Sequence, residues 1–270
     1  MIRPFRPLTP AAMVVLCGAL SPAQAADALP ASATSPDDFA ITLELGLGAK
    51  LSPAYVGSDE YEFSPWPVIS LEYLYIPGVV EIGGPDSHSG GLSFGPSFAY
   101  QGERDSSDNR DLRGLADVDP TYEAGMKVGY EWSHAEVFGA VRYAFGGADG
   151  FVGDLGANAI VWPTNDFQLK AGPRASFASA DYMEAYFGVS PAESAAGGGR
   201  LDAYDPDGGF KSVGVGVETR YEFRPDWFLN SEASYERLVG DAADSPLVDV
   251  GSADQFSVGL SLSRRFTIGF

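Results

Sequence analysis

The stretch Phe256-Ser-Val-Gly-Leu-Ser-Leu-Ser-Arg-Arg-Phe-Thr-Ile-Gly-Phe270 closes the chain. Large apolar residues alternate along it with small or polar residues, and its last residue is aromatic. A strand with this pattern presents one face to an apolar environment and the other to water. Such an ending is typical of barrels of the Gram-negative outer membrane. We therefore predict a barrel in lipid, in which Phe266, Ile268 and Phe270 form the signal that the barrel-assembly machinery reads.

The N-terminus predicts export from the cytoplasm. Arg3 and Arg6 precede a short apolar segment, and Ala23-Gln-Ala25 forms an A-x-A cleavage site. The single cysteine, Cys17, lies in that apolar segment without the small preceding residue of a lipoprotein site, so the mature chain is expected to have no thiol. We expect a signal peptide at residues 1–25, a flexible periplasmic leader at 26–39 and the outer-membrane β-barrel at 40–270.

Composition narrows the class of protein further. The mature sequence has no run of about 18 apolar residues, which excludes a helical membrane span and leaves a closed barrel as the way across. Without Arg3 and Arg6, 15 basic residues stand against 37 acidic ones, a net charge near −22. Because so acidic a chain repels phosphates, we expect no nucleic-acid partner.

Alternating hydrophobicity divides the mature chain into ten candidate strands, several of them close to the 9 to 11 residues of a tilted membrane strand. Pro77-Gly78 offers an alternative, because a hairpin there would make eleven strands. Bacterial barrels keep an even number, so we interpret Pro77-Gly78 as a bulge or kink and expect a ten-stranded antiparallel transmembrane β-barrel. The ten segments are residues 40–49, 66–83, 90–101, 121–132, 134–146, 150–162, 165–178, 209–223, 226–239 and 254–270.

The lengths of the connections predict the orientation. Short turns belong to the periplasmic side of such barrels and long loops to the outside. Trp132, Trp162 and Trp227 flank the short turns, where an aromatic girdle is expected at the inner interface. The short turns are 133–134, 163–166 and 224–226, and the long loops are 102–120, 179–208 and 240–253.

Residue parity predicts which side chains face the lumen. Tyr122 and Met126 alternate with Glu123 and Lys127, so the first pair faces lipid and the second faces inward. Arg264 falls on the lipid-facing parity, and we expect it at the interface with its guanidinium among headgroups. Since a ten-stranded barrel is narrow, we favour inward charges that pair and fill the lumen over charges that line a conduction path. The predicted network is Glu123, Lys127, Arg142, Lys170, Arg174, Glu218 and Arg220, with Glu131, Glu136, Glu222, Glu232 and Arg265 on the same parity.

Several short motifs, taken in order, resemble those of the MltA-interacting protein (MipA/OmpV) family of outer-membrane proteins. Two features depart from the family pattern: the Ala/Gly-rich run at 195–199, and the four residues that follow Arg265-Phe266. The motifs are Pro53-Ala-Tyr-Val-Gly-Ser58, Trp66-Pro67, Gly114-Leu-Ala-Asp-Val-Asp-Pro-Thr-Tyr-Glu-Ala-Gly125, Ala171-Gly-Pro173, Tyr186-Phe-Gly-Val189, Tyr235-Glu-Arg-Leu-Val-Gly-Asp-Ala242 and Ser245-Pro246.

The resemblance implies a non-enzymatic role. Some members of the family are described as scaffolds that bring a lytic transglycosylase and a penicillin-binding protein together for cell-wall growth. Others are described as porin-like, adhesive or antibiotic-related outer-membrane proteins. Family membership alone does not choose among these functions.

Catalytic and metal-binding chemistry find little support in the residues. His88 and His134 are the only histidines, and both are expected on the periplasmic side, away from the outer rim where a barrel hydrolase needs a histidine. No pair of histidines has metal-ligand spacing, and no cysteine remains after signal cleavage. We therefore expect neither an enzyme nor a cofactor.

The outer loops carry two further features. The segment 182–189 has aromatic residues at near-helical spacing, which indicates either a short helix folded into the barrel mouth or ordinary loop packing. The loops are also acidic, which indicates a solvated surface, with calcium or lipopolysaccharide bridged by divalent cations as the alternative. The acidic residues are Glu103, Asp105, Asp108, Asp111, Asp117 and Asp119 in one loop and Asp241, Asp244, Asp249 and Asp254 in another.

The leading functional prediction is a scaffold that offers its periplasmic turns and leader to cell-wall enzymes. The alternative is a narrow porin-like channel or a permeability or antibiotic-response protein, and adhesion through the acidic loops is a third possibility. The predicted contact segments of the scaffold are 77–90, 133–134, 163–166 and 224–226.

Overall fold

The computed structural model describes residues 39–83, 91–107 and 112–269. Within these ranges eleven strands form a single antiparallel sheet that curves into a nearly closed barrel. The expected signal peptide, most of the expected leader and Phe270 lie outside the described residues. The strands are β1 (Ala40–Pro53), β2 (Tyr61–Ile76), β3 (Val80–Gly83), β4 (Gly91–Gln101), β5 (Thr121–Trp132), β6 (Ala135–Gly146), β7 (Gly150–Thr164), β8 (Phe167–Ala178), β9 (Gly209–Arg224), β10 (Trp227–Leu238) and β11 (Asp254–Gly269).

The prediction of ten strands was wrong, because Pro77-Gly78 forms a hairpin turn. The Val79 N–H donates to the Ile76 carbonyl at 3.0 Å, and Gly78 has φ 69°. Proline at the second position and glycine with positive φ at the third are the residues that a type II turn needs. The even-number rule assumes that every strand crosses the membrane. Strand β3 has four residues and is too short to cross, so an eleventh strand leaves both chain ends on one side.

The first and last strands, β1 and β11, pair within the sheet, and the described sheet is open at one boundary only. β1 pairs with β11 from Ala40 opposite Gly269 to Leu51 opposite Val258. The two edge strands of the sheet are β3 and β4. Because β3 has only four residues, most of this edge is formed by the next strand, β2. A Cβ atom on Gly95 of β4 would lie 3.9 Å from the backbone nitrogen of Leu71 of β2, yet no ladder joins the described parts of these strands. We call this boundary between β2 and β4 the seam.

The lengths of the connections distinguish the two ends of the barrel. We call the end that carries the two-residue turns the inner end. Residues 133–134, 165–166 and 225–226 each form a two-residue connection between paired strands. In the last of these, Asp226 has φ 64° and its N–H donates to Glu222 Oε1 at 2.8 Å. Aspartate tolerates the left-handed region better than most residues, and Pro225 fixes the preceding φ. The long connections that follow β1, β4, β8 and β10 begin and end at the opposite, outer end.

The predicted alternation of the wall agrees with the exposure of its side chains. Tyr122 is 52% exposed on the lipid-facing surface of the wall, whereas its neighbour Glu123 is 3% exposed in the lumen. Arg264 points outward and lies over the rings of Trp227 and Phe266, 5.4 and 5.2 Å from their centroids. This position suits a cation at an interface, where a guanidinium stacks on aromatic rings while it remains hydrated.

One tryptophan does not belong to the expected girdle. Trp132 is the last residue of β5 and is 50% exposed on the lipid-facing surface of the wall. Trp227 is the first residue of β10, and its ring lies beneath the Arg264 guanidinium. Trp162 instead lines a small pocket at the inner end together with the inward side chains of Gln168, Arg220 and Phe228. Its indole therefore lies in the lumen, and the expectation that it faces the interface was wrong.

Three short helices fold over the outer mouth: α1 (Ala180–Phe187), α2 (Pro191–Ala196) and α3 (Pro246–Val250). None of these described helices has the length and apolar character needed to cross a membrane. They pack with parts of the loops 54–60, 112–120, 179–208 and 239–253, and we call this assembly the outer cap. Its apolar core is made of buried side chains of α1 and its neighbours, namely Tyr55, Leu112, Leu115, Val118, Tyr182, Met183, Tyr186, Phe187, Val189, Leu201, Leu247 and Val248.

Candidate functional site: the lumen and the outer cap

The outer tier of the lumen is an ion network centred on Arg142 of β6. Its Nε lies 2.8 Å from Glu123 Oε2, and its Nη2 lies 2.6 Å from Asp154 Oδ2. Arg142 Nη1 also donates to Ser97 Oγ at 3.2 Å. The side chains of Arg142 and Glu123 are 9% and 2% exposed. Because burial removes most of the water around both groups, each charge must be stabilised by its attraction to the other.

This network is fastened to the outer cap by Tyr182 of α1. The Tyr182 hydroxyl donates to Glu123 Oε1 at 3.2 Å, and the Tyr182 side chain is fully buried. The apolar residues of α1 fall at positions 182, 183, 186 and 187, which places them on one face of the helix. The segment 182–189 is thus largely helical and lies in the mouth of the barrel, one of the two alternatives that the sequence left open.

The middle tier is centred on Lys170 of β8. Its Nζ lies 2.6 Å from Glu131 Oε2 and 3.2 Å from Glu136 Oε2. Asn158 Nδ2 donates to Glu136 Oε2 at 2.9 Å. On the same strand Arg174 pairs with Glu218 at 2.8 Å. Charges from four strands therefore neutralise one another across the lumen.

The inner tier is centred on Arg220 of β9, which bridges Glu44 of β1 and Glu72 of β2. Arg265 Nε lies 2.7 Å from Glu72 Oε2. Both guanidinium groups lie over the buried ring of Phe228, with centroid distances of 3.7 and 4.8 Å. This cluster stacks two cations on one aromatic face and closes part of the inner end.

Glu44 and Glu72 were not among the predicted network residues. Leu43-Glu44-Leu45 shows the alternation that would have placed Glu44 inward. Glu72 is harder to assign, because the β1–β2 register shifts between Thr42 and Leu43. Such a bulge inserts one extra residue into β2, and parity then no longer tells which face that residue occupies.

Lys127 differs from the other six members of the predicted network. Glu123, Arg142, Lys170, Arg174, Glu218 and Arg220 each take part in an ion pair. The ammonium of Lys127 instead lies 4.2 Å from the centroid of the Phe138 ring. No carboxylate of the described residues lies within 4 Å of it.

A cavity of about 440 Å³ remains in the lumen. Its polar wall comes from the middle and inner tiers, including Lys170 and Arg220, together with Lys127. Trp66 of β2 contributes an apolar wall and lies against Gly259 of β11, where a Cβ atom would come within 2.8 Å of the indole. Glycine at position 259 is therefore what allows the indole to lie in the lumen.

The outer cap is held together by hydrogen bonds between loops that are distant in sequence. The buried Arg104 guanidinium donates to the Tyr186 carbonyl at 3.1 Å through Nη1, and Ser245 Oγ donates to the Phe187 carbonyl at 2.6 Å. Glu193 closes a capping box with Ser190 at the start of α2 and accepts from the Ala116 N–H at 2.8 Å. These bonds join three of the long connections into one unit.

Burial sets the protonation of the cap. It raises the pKa of Tyr186 to about 12 and holds the pKa of Tyr182 well above its usual value. Burial also lowers the pKa of the Arg104 guanidinium from its usual value. Both tyrosines are fully protonated at physiological pH, so the apolar core of the cap carries no phenolate charge beneath its hydrogen-bonded surface.

The acidic loop residues act as hydrogen-bond acceptors within the cap. Asp117 Oδ1 accepts from Ser106 N and Ser106 Oγ at 2.8 and 2.7 Å, and these bonds lower the pKa of Asp117. Asp254 Oδ1 accepts from the Tyr235 hydroxyl at 2.7 Å and from Arg237 at 2.8 Å. In the described ranges no three acidic, histidine or cysteine side chains are grouped to hold a metal ion. Asp108 and Asp111 lie outside those ranges.

His134, the histidine in the described residues, takes no part in the lumen network or the cap. His134 lies in the two-residue turn between β5 and β6 at the inner end, and its carbonyl accepts from the Ile160 N–H. His88 lies outside the described residues. The described lumen therefore contains ion pairs, cations that lie over the rings of Phe138 and Phe228, and a cavity.

Comparisons with known proteins agree with the resemblance seen in the sequence. A family model described as MltA-interacting protein MipA matches residues 45–266. The MltA-interacting protein of Escherichia coli K12 is 29% identical over 167 residues, which cover 60% of this chain and 64% of that protein. The outer membrane protein OmpV of Vibrio cholerae is 36% identical over 91 residues, which cover 34% of this chain and 33% of that protein. The chain thus aligns with less than two thirds of either relative.

Solved structures that resemble this chain are membrane barrels with very different sequences. The NanC porin is 11% identical, with a TM-score of 0.35 over 84% of this chain and 98% of its own. OprD of Pseudomonas aeruginosa is 7% identical, with a TM-score of 0.32 over 88% of this chain and 96% of its own. Scores this low carry no argument about function. The family match and the outer-membrane relatives do decide the class: the chain is an outer-membrane β-barrel and belongs to the MltA-interacting protein MipA family.

Proposed function

We propose that the protein is a non-enzymatic scaffold that offers the inner end of its barrel to a lytic transglycosylase and, through it, to a penicillin-binding protein. The observation that carries this proposal is the outer cap, whose core residues Tyr182, Met183, Tyr186 and Phe187 are 0% exposed. A barrel closed at its outer mouth is poorly suited to bulk exchange across the membrane. Its relative in Escherichia coli is named for an interaction with MltA, and the other relatives are named as outer membrane proteins rather than enzymes.

The inner end provides a small surface for such a partner. The β2–β3 hairpin presents Val79, which is 77% exposed, beside the solvent-exposed Glu81. The two-residue turns at 133–134, 165–166 and 225–226 lie around the same end. A surface made of such short turns supports a weak contact, below about 1,200 Å² of buried area.

Site-specific crosslinking in intact cells tests the proposal. A photo-reactive amino acid is placed at Val79 in the hairpin and, in a second strain, at Asn165 in the β7–β8 turn. Ala192 on the exposed side of α2 is the matched control at the outer end. We expect covalent products with a lytic transglycosylase from the inner positions and none from Ala192. Products at neither inner position, with normal insertion of the barrel, contradict the scaffold.

A second candidate, a narrow permeability barrel, is favoured by the cavity of about 440 Å³ below the cap. In this reading the cap acts as a gate over a conduction path. Planar bilayers separate the two functions, because the scaffold predicts no reproducible current steps from the wild-type protein. Repeated single-channel steps favour the channel.

A further inference from the structure

The cavity passes through the barrel wall at the seam. It is lined by residues 68–72 of β2 and 91–96 of β4, a consecutive run on each strand. Successive side chains of a strand point to opposite faces, so a strand in an unbroken wall lines the lumen with alternate residues only. Consecutive lining residues on both strands therefore mean that the cavity extends between them, from the lumen to the lipid-facing surface.

The outer lips of this opening are apolar. Ile69 of β2 is 46% exposed, and Leu92 and Phe94 of β4 are 49% and 40% exposed. All three also line the cavity. An alkyl chain in the bilayer can therefore reach the cavity along these three apolar side chains.

Prolines lie on the two strands that border the seam. Pro65 and Pro67 lie in β2, and Pro96 lies in β4. An unpaired strand edge in hydrocarbon leaves backbone donors and acceptors without partners, which is costly. Proline has no N–H, so its presence at a sheet edge reduces the number of unsatisfied donors. The sequence of these strands is therefore compatible with a lasting gap between them.

One cation in the wall of the cavity, Lys127, forms no ion pair with a described residue. All six carboxylates in the wall are ion-paired, whereas the Lys127 ammonium lies over the Phe138 ring and acts on Glu136 only from beyond ion-pair distance. An incoming anion therefore finds a partner without breaking an existing pair, but an incoming cation does not. The six paired residues are Glu44, Glu72, Glu131, Glu136, Glu218 and Glu232.

We propose that this cavity binds an anionic single-chain amphiphile, a carboxylate or phosphate on an alkyl chain, which enters from the bilayer through the seam. The headgroup pairs with Lys127, and the chain lies along Ile69, Leu92 and Phe94. The volume of about 440 Å³ falls within the range of small-molecule sites, about 300 to 1,000 Å³. The proposal is independent of the scaffold, because it concerns the wall of the barrel and not the turns of its inner end.

Trp66 provides the readout, because its indole lines the cavity. The mature protein is reconstituted in phosphatidylcholine nanodiscs and titrated with ω-brominated dodecanoate, whose bromine quenches tryptophan on contact. A Trp66→Phe protein measures the quenching of Trp132, Trp162 and Trp227 by probe dissolved in the lipid. The difference between the two titrations reports entry into the cavity, and we expect it to saturate.

Two sets of variants test the headgroup site and the route. Lys127→Met is expected to weaken binding about tenfold or more, and Lys127→Arg to retain it, since a bond to a charged group contributes about that much. A bismaleimide staple between Ser70→Cys and Gly95→Cys, added after folding, closes the seam. The matched control is a staple between Ser176→Cys and Ser212→Cys, whose hydroxyl oxygens lie 2.6 Å apart across the paired strands β8 and β9.

The outcomes separate the sources of the ligand. Saturable quenching that is lost with the seam staple but kept with the control staple supports entry from the bilayer. Quenching that persists with the seam stapled means that the probe enters from water, which overturns the lateral route. Quenching that does not saturate, or that is equal in Lys127→Met, overturns the site itself. Each double-cysteine protein before stapling shows that the substitutions leave the fold intact.

Discussion

Removal of the Arg142 guanidinium is expected to destabilise the barrel strongly. Arg142→Met keeps most of the length of the side chain but leaves Glu123, whose side chain is 2% exposed, with no cation within 4 Å in the described lumen. Breaking a buried ion pair by removing one partner costs about 3 to 5 kcal/mol, because the remaining charge stays desolvated. The Tyr182 hydroxyl remains as a donor to Glu123, which places the expected loss near the lower end of that range.

Arg237→Met is the matched control for this loss. Arg237 pairs with Asp254 at 2.8 Å, but the two side chains are 58% and 43% exposed. Exposed pairs contribute little to stability, so we expect an unfolding curve close to that of the wild type. Both variants are unfolded in urea from lipid vesicles, and unfolding is followed by tryptophan fluorescence and by the mobility of the unheated protein in gels.

A third variant separates lost charge balance from lost packing. In Arg142→Met combined with Glu123→Gln and Asp154→Asn, no buried charge is left without its partner. Replacement of a whole buried ion network is often neutral, so most of the stability should return. The reasoning is refuted if Arg142→Met loses no more stability than Arg237→Met, or if the triple variant is no more stable than the single one.

Three further predictions concern the outer cap. Because burial raises the pKa of Tyr186 to about 12 from 10, its contribution to stability is fully present below about pH 10 and is lost as the pH rises to about 12, a loss of about 3 kcal/mol. The buried Tyr186 hydroxyl has only a weak contact with Thr121 and makes no hydrogen bond of normal geometry in the described structure, so Tyr186→Phe should be as stable as the wild type at about pH 9 and more stable at about pH 11.5, measured in detergent. Deletion of residues 181–189 removes the centre of the cap, and current steps in planar bilayers should appear or grow if the barrel still folds; an unchanged baseline in a folded deletion protein means that the inner tiers alone block the lumen. Gly114→Ala should loosen the cap more than Gly198→Ala, because both positions have positive φ but a Cβ on Gly114 would lie 2.3 Å from the Gly197 nitrogen, whereas one on Gly198 meets nothing within 4 Å. Equal rates of limited proteolysis in these two variants contradict that packing argument.

The wall of the barrel could be predicted from the sequence because its pattern is local. Each strand repeats every two residues, so Tyr122 and Glu123 reveal opposite faces without any knowledge of their partners. Arg264 was recognised as an exception for the same reason, and in the structure its guanidinium lies over the ring of Trp227, a contact that the sequence did not predict. Trp162 shows the limit of this reasoning. It was predicted to face the interface because it lies next to a short turn, but its side chain lies in the lumen.

The strand count failed because a topological rule was applied to a strand that does not cross. Pro77-Gly78 carries the sequence signal of a type II turn, and that local signal was the correct one. The length of the segment after the turn, four residues in β3, decides whether the rule applies. The seam was beyond prediction, because it depends on which strands fail to pair.

The ion partners and the cap could not be predicted from local patterns. Glu44 and Arg220 are 176 positions apart in the chain, and Tyr182 and Glu123 are 59 apart. Parity placed most of these charges in the lumen, but only the curvature and stagger of the sheet bring particular pairs together. The aromatic spacing in α1 indicated a helix, whereas its docking depends on three other loops of the cap.

The composition of the outer cap constrains the order in which the molecule can assemble. Tyr55 comes from the first loop of the described chain, and Leu247 comes from the last. These side chains become neighbours only after the C-terminal strand has paired with β1, since that pairing brings the two loops together. Helix α1 therefore has no complete binding surface until synthesis and strand closure are finished, and its docking marks the end of folding.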